Sequence, residues 1–146
     1  MLVLDANILM GAVLGKRVRA LLEKYCERIV FVAPDVAFEQ ARKHLPQVIE
    51  RRGLREEPFM AYLASLVDII QQVEVEDYSG FEAIARQRLA RRDEDDWPIL
   101  ATALALRCCP IWTEDRDFFG CGVATWTTDR VELYLADAAC EYAAEQ

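Results

Sequence analysis

Leu2-Val3-Leu4-Asp5-Ala6-Asn7 opens the chain with an apolar tripeptide that stops on an acid. A short aliphatic run bounded in this way reads as a strand buried on both faces, as strands of a parallel sheet are. The carboxyl ends of such strands line one edge of the sheet, and ligands bind there. An acid placed directly after the strand therefore marks that edge. Three more acids stand in comparable places: Glu39 after Ala33-Pro-Asp-Val-Ala-Phe38, Asp96 in Asp95-Asp-Trp-Pro-Ile-Leu100, and Asp115 in Ile111-Trp-Thr-Glu-Asp-Arg-Asp117.

Working outward, strands alternate with helices along the whole chain. Val18, Leu21, Leu22 and Tyr25 recur at helical spacing. Ile29 to Val32 is β-branched and aromatic and stops at Pro34, which makes a second strand. Asp35 is placed to cap a helix from Val36 to Gly53, with Pro46 as a kink or break. A further helix is expected from Pro58 to Ile70, a short strand at Val73 to Val75, and a small helix from Phe81 to Leu89. Trp97 to Arg107 is a strongly apolar helix with Pro98 in its first turn. Ile111 to Thr113 and Val123 to Trp126 read as strands, and Asp129 caps a last helix through Tyr142. This alternation predicts a three-layer α/β/α fold with a mostly parallel sheet of four or five strands. No repeat or linker divides residues 1–146, so a single domain is expected.

With 53% hydrophobic residues, the chain can bury a sizeable core. No apolar run approaches the roughly 20 residues that span a membrane. The first strand follows the initiator Met with no basic or small-residue leader pattern, so the expectation is a soluble cytoplasmic protein with no membrane contact. Five cysteines without a CxxC pair argue for buried free thiols rather than disulfides or zinc. His44, the one histidine, is read as a surface residue.

Each acid has an ordinary explanation. Asp5 and Asn7 could form an Asx turn, Glu39 could answer a helix dipole, Asp96 could be an N-cap, and Asp115 and Asp117 could be loop acids. Brought together, however, carboxylates resist ionising unless a cation lies among them. That points to Mg²⁺ or Mn²⁺ and to phosphate chemistry. The net charge of −8, from 25 acids against 17 bases, sits awkwardly with a nucleic-acid substrate. The bases are uneven, though. Arg51, Arg52 and Arg55 form one cluster, and Arg86, Arg88, Arg91 and Arg92 another, either of which could also be a solvated helix end.

The order of these motifs resembles the PIN-domain nucleases, including the VapC-type toxins. The matching segments are Val3-Leu-Asp-Ala-Asn-Ile8, Glu39 in the second major helix, Asp96-Trp-Pro-Ile-Leu-Ala-Thr-Ala103, and Thr113-Glu-Asp-Arg-Asp-Phe118. The last two are the most specific. The resemblance implies a metal-dependent ribonuclease in which Asp5, Glu39, Asp96 and Asp115 form an acidic pocket. Asp5, Asp96, Asp115 and Asp117 are the candidate metal ligands, with Asp117 replacing or assisting Asp115. Asn7 and Thr113 would orient the carboxylates, and Arg91, Arg92 and Arg116 are the candidate substrate contacts. The implied cofactor is Mg²⁺ or Mn²⁺, and the implied reaction is hydrolysis of an RNA phosphodiester that leaves a 5′-phosphate.

The resemblance also implies two protein partners: a second copy in a homodimer, and a small antitoxin lying in an apolar groove near Leu21 to Tyr25 or Phe59 to Leu66. Two other enzyme readings fit less well. A haloacid-dehalogenase-type phosphatase needs Asp-x-Asp where this chain has Asp5-Ala-Asn7. A receiver domain needs a late lysine, and none follows Lys43. A catalytically silent PIN-like scaffold that only binds a partner is the remaining alternative.

Overall fold

The computed structural model describes the whole chain, Met1–Gln146. Its centre is a five-stranded sheet in the order β3-β2-β1-β4-β5, and every neighbouring pair is parallel. The strands are β1 (Leu2–Leu4), β2 (Phe31–Pro34), β3 (Ile70–Val73), β4 (Ile111–Trp112) and β5 (Thr125–Trp126). Both β1 and β2 are fully buried, as strands covered on both faces must be. In register, Val3 pairs with Val32 on one side and with Ile111 on the other.

The chain steps from β1 outward to β2 and β3, then returns across the sheet to β4 and β5. The order therefore reverses between β1 and β4. A topological switch point of this kind leaves a crevice at the strand carboxyl ends. Helices α1 (Ala6–Leu14), α2 (Arg17–Tyr25), α3 (Asp35–Arg51) and α4 (Glu56–Ser65) pack against one another. Helices α5 (Val75–Tyr78), α6 (Glu82–Leu89) and α7 (Trp97–Ala105) form a second group, with α7 lying on β1, β2 and β4. The last helix, α8 (Val131–Ala144), docks against α2. No helix is long and apolar enough to cross a membrane.

The expected three-layer parallel architecture is present, with differences in detail. Helix α1 went unread because Ala6–Leu14 is apolar almost throughout and shows no polar face to set a period. The helix expected to reach Ile70 stops at Ser65, whose hydroxyl turns back to the Tyr62 carbonyl at 2.7 Å. Ile70 instead begins β3, an edge strand whose Gln71 and Gln72 are exposed, so it carries no apolar run to recognise. Pro46 does not break α3, which continues to Arg51. Asp35 is the first residue of α3 rather than its cap, and it accepts from the Val36 N–H at 2.8 Å and the Tyr78 hydroxyl at 2.5 Å. Asp129 does not cap α8, which starts after Arg130; it pairs with Arg17 at 2.6 Å. Of the cysteines, Cys109 and Cys121 are buried, whereas Cys108 and Cys140 are exposed.

Trp112 holds the short β4 in place. Its ring is fully buried, and its Nε1–H donates to the Thr128 hydroxyl at 3.0 Å. Replacing Trp112 with Ala removes that bond and leaves a cavity directly before Thr113. The variant should lose about 3–5 kcal/mol of stability in urea unfolding. A loss under about 1 kcal/mol would show that β4 is anchored elsewhere.

Candidate active site

Asp5 follows β1 and is only 6% exposed. It is the N-cap of α1, where its Oδ1 accepts from the Ile8 N–H at 2.9 Å. Its Oδ2 accepts from the hydroxyl of Thr113, the fully buried residue after β4. One carboxylate thus joins the ends of two adjacent strands across the switch point. Thr113 Oγ also accepts from the Asp115 N–H at 2.9 Å, and Asp115 Oδ1 accepts from the Asp117 N–H at 2.8 Å. Thr113 thus bonds both the Asp5 carboxylate and the Asp115 backbone.

Asp96 occupies the N-cap position of α7, but its side chain makes no capping bond. The ordinary explanation for this acid is not realised, and the carboxylate turns elsewhere. Asp5, Asp96 and Asp115 line one cavity of about 210 Å³ together with Ala6, Asn7, Met10, Gln40, His44 and Ile99. A larger cavity, about 260 Å³ around Cys26, Arg28 and Val67, contains none of these acids and gives no such chemistry.

The electrostatics of the cavity are one-sided. Burial pushes Asp5 up to about 6, against the lowering effect of its bonds to Thr113 and Ile8. Asp96 is pushed up to about 7, first by burial, then by Asp93 and Asp115 and by a hydrogen bond that its protonated form makes to Asp115. The charged side chains that raise these two groups are other carboxylates: Asp115 and Glu114 at Asp5, and Asp93, Asp115 and Asp5 at Asp96. As donors, three carboxylates with no lysine or arginine in the lining suit a hard divalent ion. As the side chains lie, no three acidic, histidine or cysteine groups converge closely enough to enclose one.

The other sequence candidates are distributed as follows. Asn7 is exposed at the cavity wall and Asp117 lies outside the lining. Glu39 is exposed on α3 and also outside the lining, while its field reaches the Tyr78 hydroxyl. Arg91 and Arg116 are exposed and form no ion pair. Arg92 donates to the Asp117 carbonyl at 2.6 Å. Gln40 and His44, one turn apart on α3, were missed as site residues. His44 is exposed, as expected, but it faces the acids. The signal available was the i, i+4 spacing of two polar side chains on the helix after β2. Of the apolar stripes considered for a partner groove, Leu21, Leu22, Tyr25, Leu63 and Leu66 are buried in the core, which leaves Phe59 and Tyr62 half-exposed.

The raised acids set the pH dependence of the ion-free protein. The ordinary carboxylate value is 3.8. Between about pH 4 and pH 7 the folded state therefore holds more protons than the unfolded chain, and stability falls as pH rises through that window. In EDTA, Asp96→Asn should flatten this fall and melt about 2–6 °C above the wild type at pH 8. Thermal unfolding followed by circular dichroism checks it. A variant that parallels the wild type at every pH would show that Asp96 is not held protonated.

Residues 3–136 match the family profile described as a PIN domain. No curated protein matches the chain significantly. Among solved structures, VapBC2 from Rickettsia felis bound to a DNA fragment from their promoter is similar, with a TM-score of 0.66 at 13% identity, covering 86% of this chain and 97% of that one. FitAB bound to an IR36 DNA fragment gives 0.56 at 20% identity, covering 88% and 95%. FitAcB from Neisseria gonorrhoeae gives 0.57 at 18%, covering 88% and 98%. At these identities the structures speak for the fold, whereas the profile spans nearly the whole chain: this protein belongs to the PIN-domain family.

Proposed function

We propose that the protein is a Mg²⁺- or Mn²⁺-dependent endoribonuclease. The observation that carries this reading is that Asp5, Asp96 and Asp115 line one cavity at the strand carboxyl ends, with no lysine or arginine among its lining residues. These three would hold the ion. When bound, it supplies Lewis acidity, making water a nucleophile near neutral pH and offsetting charge that builds on the phosphate.

The chain's own residues supply orientation. Thr113 and the Ile8 N–H fix the two oxygens of Asp5, and the Asp117 N–H fixes one oxygen of Asp115. Asp117 assists Asp115 through this backbone bond. Glu39, exposed on α3 and outside the cavity lining, would have to turn inward to take part. Arg91 and Arg116 carry free cationic heads able to meet substrate phosphates, whereas Arg92 has a bond to the Asp117 carbonyl to maintain. Hydrolysis by water attack opposite the leaving 3′-oxygen leaves a 5′-phosphate, and no covalent enzyme intermediate is needed.

Labelled single-stranded RNA incubated with Mn²⁺, Mg²⁺ or EDTA tests the reading. Cleavage should require the metal and fall about a hundredfold or more in Asp96→Asn, the scale on which loss of a charge-stabilising group acts. Equal cleavage in EDTA, or by the variant, would refute it. A folded wild type that cuts nothing would favour a silent PIN-like scaffold.

The same reading includes a homodimer and a small antitoxin partner, the two partners that the resemblance to VapC-type toxins implies. Native mass spectrometry of protein purified from its own host should show a second copy and a small added mass. A bare monomer would remove both partners from the proposal.

A further inference from the structure

The loop between β4 and β5 carries Asp115, and two arginines fasten it from outside the cavity. We propose that Arg88 and Arg92 are positioning residues that hold this loop, and through it Asp115, in place. The inference rests on the nuclease reading above for its purpose, but not for its geometry.

Little regular structure restrains the loop. Between Trp112 and Thr125 it has one short helical turn, Arg116–Phe118, and four buried side chains, Thr113, Phe118, Cys121 and Val123. Two guanidinium groups add to these. Arg88, in the last turn of α6, donates from Nη1 to the Cys121 carbonyl at 3.2 Å. Arg92, just beyond α6, donates from Nη1 to the Asp117 carbonyl at 2.6 Å. Neither arginine forms a salt bridge, so these carbonyl bonds are their protein partners. A charged donor on a carbonyl makes a stronger bond than a neutral one.

The loop backbone is shaped to receive both heads. Gly120 and Gly122 have φ of +79° and +91°, a region that side chains rarely enter. A Cβ at Gly122 would lie 2.8 Å from Arg88 Nη1, and one at Gly120 would lie 3.3 Å from Arg92 Nη2. The glycines therefore leave room for the arginines as well as allowing the turn.

From the clamp, hydrogen bonds run unbroken into the site. Arg92 holds the Asp117 carbonyl, the Asp117 N–H holds Asp115 Oδ1, the Asp115 N–H holds Thr113 Oγ, and the Thr113 hydroxyl holds Asp5 Oδ2. Release at the first link frees the backbone on which Asp115 stands. Outer partners of this kind typically change metal affinity or activity by about ten- to hundredfold when removed.

Hydrogen exchange read by mass spectrometry tests the clamp without relying on activity. Wild type, Arg92→Ala and the Arg88→Ala/Arg92→Ala double variant are compared, together with Mn²⁺ affinity and RNA cleavage. The peptide over residues 113–122 should exchange about tenfold faster in the double variant, with β1 and α7 unchanged. Mn²⁺ affinity should fall about ten- to hundredfold, and kcat should drop with little change in KM. Unchanged exchange over 113–122 overturns the clamp. If KM then rises and its salt dependence weakens, the arginines are phosphate contacts instead. Should the double variant unfold, Arg92→Ala, at an exposed residue, carries the same comparison. A wild type that neither binds Mn²⁺ nor cuts RNA would sink the nuclease reading, while the exchange data still decide the clamp.

Discussion

The carboxylate of Asp5 is buried where the sheet changes direction, and the site is arranged around that fact. A buried carboxylate must be paired, hydrogen-bonded or protonated. Asp5 has hydrogen bonds from the Ile8 N–H and the Thr113 hydroxyl, yet burial still outweighs them and holds its pKa near 6. The two bonds settle geometry, tying the end of β1 to the end of β4 and starting α1. They do not settle charge. Asp96 adds a second raised carboxyl to the same cavity. What remains is a demand for positive charge that a proton meets at low pH and a divalent cation can meet at neutral pH.

Capping and ligation are often treated as rival explanations for an acid at a helix start. Here they separate residue by residue. Asp5 caps α1 and faces the cavity at once. Asp93 and Asp115 each cap a short turn through the N–H two residues on, at 3.1 and 2.8 Å. Asp115 faces the cavity and Asp93 does not line it. Asp96 sits at the cap position without capping. A carboxylate has four lone-pair sites, so one backbone bond leaves ample capacity for a ligand. The informative case is Asp96, where the stabilising local bond is forgone.

Legibility in the sequence followed burial. β1, β2, α3, α7 and β4 could be read because each carries a contiguous or periodic apolar set. α1 and α7 are both almost wholly apolar, and only α7 was recognised, helped by Pro98 and the acids before it. α5, four residues long, and the edge strand β3 have too few buried side chains to leave a pattern. At the site, strand-end acids were legible because position after a strand fixes their edge of the sheet. Positions on α3 were not, because successive helical residues point about 100° apart. Whether Glu39 or Gln40 faces the cavity depends on how α3 is rotated against α1, which packing determines. The helix presents Gln40 and His44, with Glu39 turned to solvent.

The acidic balance of the chain now has a structural reading. Several of its bases have duties within the fold. Arg19 donates to the Ala12 and Val13 carbonyls at the end of α1, while Arg17, Lys24 and Arg86 pair with Asp129, Glu132 and Glu82. Arg88 and Arg92 bond the loop that carries Asp115. Counting arginines near a site in sequence therefore overstates the positive charge available to a phosphate chain. With 25 acids against 17 bases, non-specific attraction to nucleic acid is weak, because that attraction comes from neutralised phosphates. On the proposed reading, recognition would then come from the cavity, where the bound ion would be the largest positive charge and would meet the scissile phosphate directly. On the proposed nuclease reading, substrate affinity and catalytic competence would come from the same ion, so losing the ion would remove both.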